Sequence, residues 1–253
     1  EAQLAFRSGE YERALELLED APPDKEIVFR LRKAVSLLFL YRYDEALALL
    51  RPLLRDGNSN LAVSSVLITC LIAAGRLDEA LRYIFATILS CGFYPRMFAL
   101  LAEYHFAAGN DAEARHFCRV SMLNNTDFVR MRPVYLLSKA ICSGGKTPAD
   151  EQFLSRLESE YPQHPGCLFL AYAASRFNGG KDATIQVSEE YGLLSAVQVY
   201  RRLILAESAL SDDDPKTAWH LLREIAHLGG IPELTRTAIL AAEQAVIDED
   251  AGQ

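Results

Sequence analysis

Gly75-Arg76-Leu77-Asp78-Glu79-Ala80-Leu81 is the stretch on which the fold of this chain turns. Leu67, Leu71 and Ile72 recur at helical spacing before the glycine, and Leu77, Ala80, Leu81 and Ile84 recur after it. Two apolar stripes on either side of one break describe two helices folded back on each other. Glycine ends the first helix because it takes positive φ without steric cost. Asp78 and Glu79 load the start of the second, where the helix dipole favours negative charge. Ala80 falls at the crossing, where axes about 8–10 Å apart call for a small side chain.

The pattern returns along the chain. Gly9-Glu10-Tyr11-Glu12-Arg13-Ala14-Leu15, Tyr41-Arg42-Tyr43-Asp44-Glu45-Ala46-Leu47 and Gly109-Asn110-Asp111-Ala112-Glu113-Ala114-Arg115 repeat it, and Ala14, Ala46, Ala80 and Ala114 follow one another at 32, 34 and 34 residues. A fixed period of this length marks stacked helical hairpins. In the copy at 109, Leu101, Ala102 and His105 precede the turn and Ala114 and Cys118 follow it, while Asp111 stands where an apolar residue is expected. Past residue 125 the pattern thins but its period persists: Gly145 lies 36 residues after Gly109, Gly179 another 34 on, and Ala218 follows Ala183 by 35. The 253 residues accommodate about seven units, clear over 1–125 and divergent over 126–230. Gly230-Ile231-Pro232 and the apolar stripe after it predict a capping helix over 231–250.

Composition points the same way. Half the residues are hydrophobic, and Ala21-Pro22-Pro23-Asp24, Asp56-Gly57-Asn58-Ser59, Ser143-Gly144-Gly145 and Asn178-Gly179-Gly180 divide helical runs with no strand-like alternation. The expected fold is all-α. Each repeat buries its apolar face only against its neighbours, so 1–253 is expected to form one continuous domain.

The Gly-x-(Tyr/Leu)-(Asp/Glu)-x-Ala core, with Phe98 and Ala102 upstream of Gly109, resembles the tetratricopeptide repeat family. The resemblance implies a right-handed α-solenoid of antiparallel hairpins whose concave groove, lined by the first helix of every unit, holds a peptide or helix of another protein. By that resemblance the groove positions are Ser65 and Thr69 in the third unit, Arg96, Ala99, Glu103 and Phe106 in the fourth, and Arg132, Tyr135 and Lys139 in the fifth. Arg96, Arg132 and Lys139 suit an acidic ligand, and Phe106 and Tyr135 offer aromatic contact area. The alternative is that these cations pair with Glu103 and neighbouring acids. The family's clamp for the acidic tails of heat-shock chaperones uses lysine and asparagine where this chain has Leu31, Val35, Ser65 and Thr69. A chaperone tail is therefore not the expected partner. A hydrophobic or helical segment, or a second protomer, is.

A net charge of −8 argues against a nucleic-acid partner, whose phosphates call for a basic stripe. The longest apolar runs, Val35 to Leu40 and Leu61 to Ile72, fall short of the roughly 20 residues of a membrane span. Cys70, Cys91, Cys118, Cys142 and Cys167 are scattered, with no Cys-x-x-Cys pair, which favours a reducing, cytoplasmic setting. No signal peptide is evident, and a first residue of Glu1 reads as a fragment or processed product.

No metal or catalytic constellation stands out. His105 and His116 sit on two helices of one hairpin, and His220 and His227 are seven apart, neither pair having the i, i+4 spacing of a helical zinc site. Asp212-Asp213-Asp214-Pro215 lacks the spaced ligands of a calcium loop and reads as an N-cap. Ala140-Ile141-Cys142-Ser143-Gly144-Gly145-Lys146-Thr147 matches a permissive phosphate-binding loop. That loop needs a strand before it, whereas Val134, Leu137 and Ile141 recur at helical spacing. The expected function is a non-enzymatic scaffold or adaptor, without cofactor, with a role in assembling a larger complex. The alternatives are a nucleotide-dependent protein using Lys146 and a self-associating structural solenoid.

Overall fold

A computed structural model describes residues 1–7, 10–18, 26–54, 60–92, 94–124, 131–160 and 214–226, together with Ala206 and Ala209. The described residues are helical and contain no strand. The unit expected around Gly179 and Ala183 and the capping helix expected over 231–250 lie outside them.

The helices are α1 (Ala2–Arg7), α2 (Tyr11–Glu16), α3 (Glu26–Phe39), α4 (Tyr43–Leu50, extended by a 3-10 turn at Arg51–Leu54), α5 (Leu61–Ala73) and α6 (Leu77–Cys91). They continue with α7 (Pro95–Ala107), α8 (Asp111–Leu123), α9 (Met131–Gly144), α10 (Pro148–Glu160) and α11 (Pro215–Ala226). Two compact units result, one of Glu1–Tyr94 with Leu205–Gln253 and one of Pro95–Ile204.

In the first unit α1 pairs with α2, α3 with α4 and α5 with α6. Each second helix also packs on the next first helix, α2 on α3 and α4 on α5, and the first helices α3 and α5 lie side by side. The small positions read from the sequence are buried: Ala14, Ala46 and Ala80 are all 0% exposed. Around Ala80, Leu67, Leu71 and Ile84 are fully buried, so both stripes of the deciding stretch meet as expected.

The turn between α5 and α6 is a left-handed helix stop. Gly75 has φ +71, its amide donates to the Ile72 carbonyl at 3.0 Å, and the Arg76 amide donates to the Leu71 carbonyl at 2.8 Å. Tyr41 makes the same two bonds, to Leu38 and from Arg42 to Leu37, at φ 60. A tyrosine thus holds a place that elsewhere belongs to glycine. Of the acids at the start of α6, Glu79 works by pairing: it accepts from Arg76 within its own turn and from Arg51 of the preceding hairpin at 2.8 Å. The Arg76 bond in first place, with Arg51 adding its charge, holds the Glu79 carboxyl below its ordinary pKa.

In the second unit α7 pairs with α8, α8 packs on α9, and the first helices α7 and α9 are neighbours. Ala102 is 0% and Ala114 2% exposed, repeating the alanine contact of the first unit. α11 begins as read from the sequence: Pro215 follows Asp214, whose carboxylate accepts from the Thr217 amide at 3.1 Å.

Candidate protein-binding groove

The nine positions expected to face a partner divide between the units. Ser65 and Thr69 lie on α5 in the first; Arg96, Ala99, Glu103 and Phe106 on α7 and Arg132, Tyr135 and Lys139 on α9 lie in the second. Ser65 is 1% exposed and donates to the Leu61 carbonyl at 2.6 Å, and Thr69 donates to the Ser65 carbonyl at 2.9 Å. Both hydroxyls are engaged with their own helix. Ala99 and Glu103 are buried, and Tyr135, at 1% exposure, presents no area to a partner. The Arg132 side chain lies outside the described residues.

The accessible part of the expected site is therefore Arg96, Phe106 and Lys139, all half-buried, with Thr69 in the other unit. Lys139 of α9 reaches across to α7 and sets its ammonium 5.9 Å from the centre of the Phe106 ring, within cation–π range. This contact joins the neighbouring first helices α7 and α9 through two of the residues named from the sequence. Near the end of α7, His105 stacks on Phe117 of α8 at 5.3 Å and 11°, and burial, partly offset by Glu113, lowers its pKa. Among the described residues no group of three or more His, Cys, Asp or Glu could hold a metal ion.

Among α8, α9 and α10 lies a buried ionic network that the repeat pattern did not announce. Counted from the left-handed glycine of each turn, Ala80 and Ala114 stand five residues after Gly75 and Gly109; five after Gly145 stands Asp150, 0% exposed. Arg115, 3% exposed, donates to Asp150 at 2.7 Å, to Asp111 at 2.6 Å and to the carbonyls of Gly145, at 3.0 Å, and Ala140. Arg119 binds the other oxygen of Asp150. The Thr147 amide and hydroxyl donate to Asp150 at 3.0 and 2.8 Å, while the Asp150 amide returns a bond to the Thr147 hydroxyl at 3.2 Å. That exchange is a capping box opening α10, with Pro148 at its first position.

Burial alone would raise the Asp150 pKa; the Thr147 amide and hydroxyl, the Arg115 bond and the Arg119 charge reverse it and leave the carboxyl below its ordinary range. Burial likewise opposes the Arg115 charge, yet Asp111 and Asp150 hold its pKa above the usual value. Asp111, out of place as an apolar residue, is in place as a partner of Arg115. The signal available in the sequence was the equal spacing of Gly145 and Asp150 with Gly75 and Ala80.

The network also accounts for the phosphate-loop look-alike. Ala140 to Gly144 belong to α9, Gly145 makes the turn at φ +73, and Thr147 caps α10. A helix occupies the place where the phosphate loop needs a strand.

Stacked helix pairs, with left-handed turns at Tyr41, Gly75, Gly109 and Gly145 and buried alanines at 14, 46, 80 and 114, define a helical-repeat protein. Residues 40–90 match the family described as tetratricopeptide repeat. No curated protein matches the chain. Repeats of this family commonly mediate contacts between proteins.

Proposed function

We propose that the chain is a non-enzymatic scaffold that holds a peptide or helical segment of a partner protein against α7 and α9 in the assembly of a larger complex. The observation that carries this reading is the Lys139–Phe106 contact between neighbouring first helices, with Arg96 half-buried on the same α7. A cation resting on an aromatic face offers both charge and flat apolar area, which suits a segment with acidic and hydrophobic residues. Tyr135, Ala99 and Glu103 are buried on the same two helices, and Arg132 is a further cation on α9. A partner protein, rather than a nucleic acid, fits the net charge of −8.

The cytoplasm is the compartment we assign, on the strength of the scattered cysteines. About seven repeats with a capping helix remain our reading of the whole chain. Labelled acidic amphipathic peptides titrated against the protein test the function. Arg96→Glu with Lys139→Glu should weaken binding at least tenfold while far-ultraviolet circular dichroism is unchanged, and equal binding by the variant would remove the site.

A further inference from the structure

We infer that Arg115, on the second-helix layer behind the groove, sets the position of the groove helix α9 against α7 and thereby fixes the Lys139–Phe106 contact; this rests on the groove reading above. The Arg115 guanidinium binds the Ala140 carbonyl, one residue from Lys139, and the Gly145 carbonyl just past the end of α9. The last turn of a helix carries partial negative charge, so a buried cation bonded there and to the carbonyl just beyond fixes that end in space. The fork is held in turn by Asp111 of α8, on Nε, and by Asp150 of α10, which shares Nη1 with the Gly145 carbonyl. A planar guanidinium with bonds on three nitrogens has little freedom to shift.

Gly144 is an independent sign that the fit is close. A Cβ built there would lie 3.1 Å from Arg115 Nη2, so the guanidinium rests against the bare backbone at the end of α9. Arg115 is thus a positioning residue for the groove, acting through α9 rather than touching a partner.

The test reads the contact directly and needs no partner. Reductive methylation places 13C-methyl groups on the six lysines, and Lys139→Arg identifies the Lys139 signal. In the unsubstituted protein the Phe106 ring displaces that signal upfield, and Phe106→Leu gives the undisplaced reference. Gly144→Ala and Asp150→Asn should each remove at least half of the displacement, while the signal of Lys33, in the first unit, stays put. A displacement retained in both variants, even with a lowered Tm, would show that Arg115 only stabilises the fold and would overturn the inference. Should Asp150→Asn fail to fold, Gly144→Ala decides alone. No displacement in the unsubstituted protein would contradict the contact itself. Loss of peptide binding after charge reversal tests the groove separately.

Discussion

Tyr41 shows how far a single residue can depart from its repeat and still be accommodated. It holds the left-handed turn at φ 60 that Gly75 holds at φ 71, and its ring meets Tyr43 edge-on at 6.4 Å. A side chain in that conformation costs roughly 1–2 kcal/mol, so Tyr41→Gly should raise stability by about 1 kcal/mol in urea unfolding once the lost ring contact is deducted. Ala80 is the opposite case. At 0% exposure between α5 and α6 it has no room to grow, and Ala80→Trp should cost about 1–3 kcal/mol or more, read as a lower urea midpoint at unchanged slope. The alanines were legible because volume at a helix crossing leaves a periodic mark in sequence. Asp150 was not, because an acid three residues after a threonine reads as a helix start, and nothing local reveals that Arg115 and Arg119 meet it from 35 and 31 residues away.

Among the elements, α8, α9 and α10 share one electrostatic dependence. Removing one partner of a buried pair leaves the other charge uncompensated, so Asp150→Ala should destabilise the protein by about 3–5 kcal/mol at neutral pH, and Arg115→Leu combined with Asp150→Leu should cost less than either change alone. The pH profile has a definite sign. Asp150 binds its proton less readily folded than unfolded, so its contribution is complete above the ordinary value of 3.8 and is lost as pH falls through the lower folded value. Acid unfolding curves of the native protein and Asp150→Asn should converge there. A parallel offset at every pH would assign the stability to another group. Tyr11 gives the alkaline counterpart: burial first, then Tyr41 nearby, pushes its pKa to about 12 against 10.0, so its contribution holds below pH 10.0 and fades toward 12.

At the scale of the molecule, the sequence announced helical hairpins, their turns and their spacing, since all three follow from local periodicity. Depth within the groove was less legible. Ser65, Thr69, Tyr135 and Phe106 all fit the groove-facing register, yet Ser65 and Tyr135 are 1% exposed while Thr69 and Phe106 are half-buried. Register fixes the face of a helix; the neighbouring helix fixes how much of that face water or a partner can reach. Recognition by the proposed groove therefore falls on Arg96, Phe106 and Lys139. Fluorescence anisotropy of labelled acidic amphipathic peptides, measured with the native protein and with Arg96→Glu/Lys139→Glu at matched helicity, tests this most directly. Saturable binding that weakens at least tenfold in the variant is expected; no binding across the peptide series, or equal affinity for both proteins, would contradict it.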